Sequence, residues 1–337
     1  MKARRSATTR TAPAPRATIN DVATAAGVSR QTVTRAMNEM PGINPATKAR
    51  VLAAAKRLRY RPSRFGRGLV KPEPRTLGLV VDDLTNPYYP ELASAVIGEA
   101  AKQSWNVIVA EKVHATDRRT LLLEVAGQVD AVLGYLNDSD GLDQLGDLPC
   151  IQFDSPPGST VGGVELDFAP AMAELVDHLL DRGVRHPVLL DISPPGSLSG
   201  RGQCFVDLMR EHGFDPPVTQ VIDNSMAAGA AGCAEILQDH PEADAIMAFN
   251  DIAACGTLKT LRRAGIDVPG QIKVAGFDGL GLGTYLSPEL TTLALDVQGV
   301  AAAAVGLALG MAAGEIPRSG PKARRRVSYR LVVRESS

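Results

Sequence analysis

Lysine and arginine are concentrated at one end of this sequence, where they would meet an anionic partner. The first 75 residues carry 17 Lys and Arg but only 3 Asp and Glu, whereas the rest of the chain carries 19 basic and 34 acidic residues. The net charge of -1 therefore averages a basic head and an acidic body. A segment this basic binds a polyanion by releasing its counterions. A solvated charged tail is the alternative interpretation.

The residue types that support catalysis or metal binding lack the spacing such chemistry needs. The cysteines include no C-x-x-C pair, and the histidines show neither metal-ligand spacing nor a triad. These residues are Cys150, Cys204, Cys233, Cys255, His114, His178, His186, His212 and His240. The glycines of VAGFDGLGLG do not form G-x-G-x-x-G, and no P-loop GK[ST] occurs. We therefore expect no metal, no cofactor and no enzyme; an enzyme on a doubly wound fold is the alternative.

The sequence shows no signal for export or membrane insertion. Its basic N-terminus is followed by no apolar h-region, and no uninterrupted apolar run is long enough to span a bilayer. Widely separated cysteines suit reduced thiols in a cytoplasmic protein. We expect a cytoplasmic protein, and export would instead favour a solute-binding protein of the periplasmic type.

Residues 18–62 have the pattern of three short helices. Thr18 is positioned to cap a helix over 19–26, Gly27 to end it, and Ser29 to cap a second helix over 30–38. A third helix begins at Asn44 and Pro45. The residues expected to face inward, or to lie at helical spacing along the third helix, are Val22, Ala26, Val28, Val33, Met37, Val51, Leu52, Ala55 and Leu58. Two short helices joined by a glycine turn indicate a helix-turn-helix.

From Leu77 onward, apolar strand patterns alternate with helical ones. The expected strands are LGLVVDD, WNVIVAE, VDAVLGYL, HPVLLDI, ADAIMAFN and IKVAGFD. Such alternation predicts right-handed βαβ units and a parallel sheet. The pattern restarts after about Val164, which predicts two doubly wound α/β lobes with a cleft between them. An Ala-rich helix over 297–313 follows, and we expect it to pack on the first lobe.

The runs TINDVATAAGVSRQTVTRAMN and INPATKARVLAAAKRLRYRP closely resemble the DNA-binding head of the LacI/GalR family of bacterial repressors. The resemblance continues in the family's order through LTNPYYPEL, AFNDIAACG, VAGFDGL, SPELTTL and LVVRES, so it covers the chain from Thr18 onward. It implies a periplasmic-binding-protein-like body and a sequence-specific transcription regulator, most often a repressor. It also implies a palindromic operator in double-stranded DNA and a nucleoid location.

In that family the second helix enters the major groove. The resemblance makes Arg30 and Gln31 the base readers and Arg35 a base or phosphate contact. The full set of implied contacts in this part of the head is Ser29, Arg30, Gln31, Thr32, Thr34, Arg35 and Asn38. Arg can form bidentate hydrogen bonds with guanine, and Gln can form them with adenine. The hydroxyls of Ser29, Thr32 and Thr34 are expected on phosphates, although a plain helix cap also explains Ser29.

The segment 63–70 corresponds to the family's hinge helix. Leu69 matches the leucine that wedges into the minor groove, and Arg64 and Arg67 are positioned for phosphate contacts. Gly66 and Gly68 depart from the family pattern, and each costs roughly 0.8 to 1 kcal/mol against Ala in a helix. Ordering this hinge is therefore expected to be harder.

Family members bind a small effector in the cleft, at the carboxyl ends of the strands. The matching positions here are Asp82, Asn86, Tyr88, Phe153, Arg201, Asn250 and Asp278. Arg201 suits a carboxylate, a phosphate or a vicinal diol. The sequence lacks an aromatic residue near Asn224, where sugar-binding members often carry one, so sugar stacking is less well supported. The alternatives for the effector are a sugar, a nucleoside, a metabolite acid or no physiological ligand. A helix cap or an interlobe salt bridge is the alternative role for Asp82 and Asn250.

The expected organisation has five parts. These are a disordered basic arm (1–17), the helix-turn-helix domain (18–62), the hinge and linker (63–75), an N-lobe (76–165 and 294–318) and a C-lobe (166–293 and 319–337). Symmetric operators are read by symmetric proteins, so we expect a homodimer that forms through the outer faces of both lobes. The chain shows no heptad extension of the kind that family tetramers use.

Overall fold

Residues 19–37, 42–58, 75–156 and 158–337 are described by the structure, a computed structural model, and they fall into two units, 1–74 and 75–337. The first unit contains helices α1 (Ile19–Ala26), α2 (Arg30–Met37) and α3 (Pro45–Arg57). Gly27 joins α1 to α2 at φ +63°, a conformation that glycine adopts without steric cost. The predicted helix-turn-helix is confirmed.

Side-chain caps begin the second and third helices. The Ser29 hydroxyl accepts the amide of Thr32 at 3.1 Å, and the Asn44 carbonyl oxygen accepts the amide of Ala46 at 2.9 Å. The predicted cap Thr18 lies outside the described residues. Each cap satisfies one of the backbone N–H groups that a helix leaves without an internal partner.

The core of the first unit is small and made of short side chains. Val22, Val33 and Val51 are fully buried, and Val28 and Met37 pack against them. Leu52 is 42% exposed although it continues the apolar pattern, because its neighbour Val51 occupies the inner face of α3. A core of this size depends on its caps and its glycine turn as well as on apolar burial.

The second unit is built on eleven strands. They are β1 (Thr76–Val81), β2 (Asn106–Glu111), β3 (Ala131–Gly134), β4 (Cys150–Phe153), β5 (Gly162–Asp167), β6 (Pro187–Ile192), β7 (Val218–Val221), β8 (Ala245–Ala248), β9 (Lys273–Asp278), β10 (Thr291–Leu295) and β11 (Arg324–Val332). The six predicted strands are all present. β1, β3, β4 and β8 are buried along their whole length, which suits a sheet covered on both faces.

The strand order is β2-β1-β3-β4-β5-β11-β10-β9-β8-β6-β7. Every neighbouring pair is parallel except β10 and β11. The first half of β11 pairs in parallel with β5, at Arg324–Ser328, and its second half pairs with β10, at Tyr329–Val332. The sheet is therefore mixed, and this one strand joins its two halves.

Seven helices accompany these strands. They are α4 (Tyr88–Lys102), α5 (Arg118–Ala126), α6 (Ala169–Asp181), α7 (Gly200–Glu211), α8 (Met226–Asp239), α9 (Asp251–Arg263) and α10 (Val297–Ala312). The Ala-rich α10 packs against α4 and against β3, β4 and β5. The α/β fold class is confirmed, and the lobe boundaries given above stay predictions. No helix among the described residues is long and apolar enough to cross a membrane.

Candidate DNA-contact and ligand sites

The first turns of α2 present polar side chains away from the core. Arg30, Gln31 and Arg35 are exposed, while Val33 and Ala36 are buried on the opposite side. Neither arginine forms an ion pair within the described part of the chain. α2 therefore carries two free guanidinium groups and one free amide on one accessible surface, which suits contact with base edges or phosphates.

The three predicted hydroxyl contacts on this helix differ in how much bonding capacity they retain. The hydroxyls of Ser29 and Thr32 lie 2.9 Å apart, so one of them donates to the other and one donor remains free. The Thr34 hydroxyl donates to the Arg30 carbonyl at 3.1 Å, one turn earlier. Thr34 is therefore the weakest phosphate contact of the three. Asn38, Arg64, Arg67 and Leu69 lie outside the described residues, so their predicted roles stay predictions.

The predicted effector residues lie at the carboxyl ends of parallel strands. Asp82 follows β1, Phe153 ends β4, Asn250 follows β8 and Asp278 ends β9. Because parallel strands present these ends at the same edge of a sheet, the fold brings together residues that are far apart in sequence.

On the first half of the sheet, the site is aromatic. The hydroxyls of Tyr88 and Tyr135 are within hydrogen-bond distance of each other, at 2.5 Å. The rings of Tyr88, Tyr89 and Tyr135 meet edge to face, with centroids 5.3 to 6.1 Å apart. The ring centroid of Phe153 lies 5.5 Å from that of Tyr135. Burial is the main cause that raises the pKa of all three tyrosines, so their hydroxyls stay protonated and can donate hydrogen bonds.

On the second half of the sheet, Arg201 is held between two phenylalanine rings. Its guanidinium carbon lies 4.7 Å from the Phe249 centroid and 4.0 Å from the Phe277 centroid. Its Nη1 donates to the Phe249 carbonyl at 3.2 Å and to Asp278 at 3.3 Å. The ring of Tyr329 is tilted against that of Phe277, with the ring centroids 4.6 Å apart. Ring contacts of this kind orient a guanidinium while leaving its other N–H groups free.

The two halves of the site share one electrostatic environment. Burial raises the pKa of Asp278 to about 6, although the charge of Arg201 opposes the rise. Burial disfavours the charged form of Arg201 and so acts to lower its pKa. Asp278 is first among the charged groups that raise the pKa of Arg201. The charges of Asp278, Arg201 and Asp154 all act on Tyr88 across the site. A ligand placed between Tyr88 and Arg201 would meet both halves at once.

Three of the predicted effector residues already have partners in the protein. Asp82 accepts the Tyr89 hydroxyl at 2.8 Å and pairs with Lys112 at 2.6 Å. Asn86 accepts the Tyr88 amide at 3.1 Å. Asn250 caps α9 by accepting the Ala253 amide at 2.9 Å and donates to Asn224 at 2.8 Å. These contacts hold Tyr88, Tyr89 and α9 in position, which makes the three residues better supports than ligand contacts.

The sequence did not predict five aromatic residues of the site: Tyr89, Tyr135, Phe249, Phe277 and Tyr329. Eight of the fourteen aromatic residues of the chain take part in these ring contacts or lie beside them. The sequence has no aromatic residue near Asn224 on which a sugar could stack, but the site carries aromatic rings at other positions. The missed signal is that Tyr135, Phe249 and Phe277 each lie at the carboxyl end of a predicted strand.

Each of the two units matches a known protein family over part of its length. Residues 18–63 match the model of bacterial regulatory proteins of the lacI family, and residues 176–337 match that of the periplasmic binding protein-like domain. The fold and these matches define a class: a helix-turn-helix DNA-binding protein whose body is a ligand-binding domain of the periplasmic type.

Individual relatives place the chain more closely. It is 32% identical over 290 residues to the transcriptional repressor PurR of Photobacterium profundum, covering 82% of this chain and 86% of that protein. A LacI family regulator from Arthrobacter sp. FB24, solved with lactose, is 35% identical with a TM-score of 0.74, covering 78% of this chain and 99% of the other. The cellobiose complex of the regulator CelR is 26% identical with a TM-score of 0.69, covering 96% and 100%.

This chain belongs to the LacI family of bacterial regulatory proteins. The family consists of transcriptional repressors, so the expectation that the chain is not an enzyme is confirmed.

Proposed function

We propose that this protein is a homodimeric, cytoplasmic repressor that binds a palindromic operator and changes its DNA affinity when a neutral sugar occupies the site around Arg201. The observation that carries the ligand half of this proposal is the Arg201–Asp278 pair, set between two phenylalanine rings and facing three tyrosines. The free side chains at the start of α2 support the DNA half.

On DNA, Arg30 and Gln31 are the base readers. Both are exposed in the first turn of the helix that the family inserts in the major groove, and both side chains can pair bidentately with a purine. Arg35, one turn further along, and the free hydroxyl of the Ser29–Thr32 pair suit phosphate oxygens. Asn38 is proposed to extend this surface. Arg64, Arg67 and Leu69 are proposed to complete it from the hinge.

The charges of the cleft favour a neutral ligand. The charge of Lys112 is paired with Asp82, and the carboxylates of Asp278 and Asp154 both act on Arg201. An anionic ligand would gain Arg201 but would meet these two carboxylates, whereas a neutral diol can accept from Arg201 and donate to Asp278. The aromatic rings would then contact the apolar face of the sugar ring. The lactose and cellobiose complexes of the two structural relatives agree with this class.

The homodimer is proposed to use an exposed apolar surface beside α9. Tyr285 is 90% exposed and Ile222 is 84% exposed, and Met226 is half exposed. Leu280 donates its amide to Asp251 at the start of α9, and Gly256 of α9 approaches the backbone of Met226 so closely that a Cβ would not fit. Met226 therefore lies against α9, and Tyr285 and Ile222 are close in sequence to the two segments that contact this helix. A large tyrosine left in water at this position is typical of an interface.

A ligand panel tests the choice of effector. Purified protein would be titrated by calorimetry with neutral mono- and disaccharides, including lactose and cellobiose, with the corresponding sugar acids and sugar phosphates, and with nucleosides. We expect saturable binding of a neutral sugar and weaker binding of its charged derivatives. Tighter binding of a sugar acid or phosphate than of the neutral sugar would contradict the proposed ligand class.

A further inference from the structure

A cavity of about 270 Å³ lies at the edge of the sheet opposite the cleft. Four of its lining residues directly precede parallel strands: Arg75 before β1, Trp105 before β2, Asp130 before β3 and Pro149 before β4. Ala312, at the end of α10, and Arg318 complete the wall. Because the cleft residues follow the strands and these residues precede them, the cavity is separate from the cleft.

We propose that this cavity is a second ligand site, which binds a small hydroxylated anion through Arg75 and Arg318. The anionic group is a phosphate or a carboxylate, since the guanidinium fork accepts either. The cavity of about 270 Å³ is partly open to solvent, which suits a compact metabolite with part of its surface in water.

The two arginines have guanidinium groups available for a ligand. Arg75 lies over the Trp105 ring, with 5.6 Å from its guanidinium carbon to the ring centroid. Neither arginine forms an ion pair within the described residues. Trp105 is only 6% exposed, so it gives Arg75 a fixed surface to rest on. Stacking leaves the in-plane N–H groups of a guanidinium free to bind oxygen atoms.

Asp130 supplies the acceptor for a ligand hydroxyl. One of its carboxylate oxygens, Oδ2, accepts the backbone amide of Thr76 at 2.8 Å, which fixes the side chain against β1. Its second oxygen is available to a donor from the cavity. Two arginines against one carboxylate leave the site with a positive balance, so an anion that also carries a hydroxyl group matches all three side chains.

Trp105 makes this site directly observable because it is the one tryptophan of the chain. Its fluorescence would be titrated with inorganic phosphate, glycerol 3-phosphate and glycerate at constant ionic strength, with glycerol as the neutral control. We expect a saturable change with the anions and none with glycerol. Comparing glycerol 3-phosphate with glycerate distinguishes a phosphate ligand from a carboxylate ligand.

Three variants test the cavity: one is expected to weaken anion binding, one to strengthen it and one to leave it unchanged. Arg318→Gln is expected to weaken anion binding roughly tenfold or more, because it removes a charge-assisted contact. Asp130→Asn keeps the acceptor for Thr76 but removes a negative charge, so sulfate, which has no hydroxyl to donate to Asp130, should bind severalfold more tightly. Arg325→Gln removes an exposed charge outside the cavity and should bind as the parent does.

The outcomes separate this proposal from the proposed repressor function, since neither DNA nor the cleft ligand enters the measurement. A linear response, an equal response to glycerol, or equal loss of binding in Arg318→Gln and Arg325→Gln would overturn it. Weaker binding of sulfate in Asp130→Asn would do so as well, because sulfate has no hydroxyl to donate to Asp130 and the loss of the negative charge leaves only a gain for an anion held by the two arginines.

Discussion

Arg201 and Asp278 form a loose ion pair, with Nη1 of Arg201 3.3 Å from Oδ1 of Asp278 and the arginine side chain 25% exposed. The rings of Phe249 and Phe277 hold the guanidinium from two directions. An arginine oriented by rings, and only weakly engaged by its carboxylate, can turn its remaining N–H groups to a ligand at small structural cost.

Replacing Arg201 should separate effector binding from DNA binding. In Arg201→Gln the forked donor is lost, so the affinity for the sugar found in the panel should fall at least tenfold, since a hydrogen bond to a charged group contributes about 1.5 to 3 kcal/mol. Arg210→Gln is the matched control, because Arg210 lies on the same helix, α7, and pairs with the exposed Asp215. Calorimetry measures the first effect. Operator binding without sugar should stay unchanged in both variants, and a loss in Arg201→Gln would mean that Arg201 acts on the fold.

Asp251 should make the body less stable as pH rises toward 7. Burial raises its pKa from 3.8 to about 7, with the charge of Asp278 adding to the rise. Between these two pH values the folded protein holds a proton that the unfolded chain has released. The stabilising contribution is therefore complete below about pH 4 and is lost as the pH rises through 7.

Urea unfolding at pH 5 and at pH 7.5 measures this dependence. The free energy of unfolding of the body should decrease between the two pH values, by roughly 1.4 kcal/mol for each pH unit in which the proton is retained. Asp251→Asn should make the decrease smaller and leave the part due to Asp278, whose pKa is raised to about 6. Asp215→Asn, at an exposed aspartate, should reproduce the profile of the parent. Parallel profiles for the parent and Asp251→Asn would show that this carboxyl does not titrate in the range.

The turn between α1 and α2 should tolerate asparagine better than alanine. Gly27 has φ +63° and open space where a Cβ would stand, so backbone strain alone decides the cost. Gly27→Ala should destabilise the head by roughly 1 to 2 kcal/mol, and Gly27→Asn by less, because asparagine visits this region more readily. Thermal unfolding followed by helical circular dichroism gives the comparison. Equal stability of the two variants would rule out strain at this turn.

Tyr285 should be required for dimerisation. Tyr285→Ser removes the most exposed large apolar side chain beside α9 and should shift the protein toward monomer in sedimentation experiments. Leu123→Ser, at an exposed leucine of α5, is the control for a simple loss of apolar surface. An unchanged dimer in Tyr285→Ser, or equal weakening by both variants, would place the interface elsewhere.

The sequence predicted the elements well where the pattern was long or where a cap was present. Ser29, Asn44 and Gly27 marked the helix boundaries, and the six apolar runs became strands. β11 was not predicted because it is an arginine-rich run in which only Tyr329 is buried, and its pairing with both β5 and β10 is a tertiary property.

The site was predicted less completely than the fold. Arg201 and Asp278 were found from family motifs, and the structure brings them together. Asp82 and Asn250 were found in the same way, but their hydrogen bonds are used within the protein. The ring contacts of Tyr135, Phe249 and Phe277 depend on which strand ends lie side by side. The strand order determines this, and the local sequence pattern does not show it.

The central claim is that this protein reads a symmetric DNA site through the start of α2. Selection of bound sequences from random duplexes at near-physiological salt tests it directly, with the parent protein, Arg30→Ala and, as a charge control on α3, Arg50→Ala. We predict a palindrome with a pyrimidine–purine step at its centre, relaxed at symmetric base positions by Arg30→Ala, where each base contact contributes about 1 to 3 kcal/mol. Recovery of no motif, or the same relaxation in Arg50→Ala, would contradict the account.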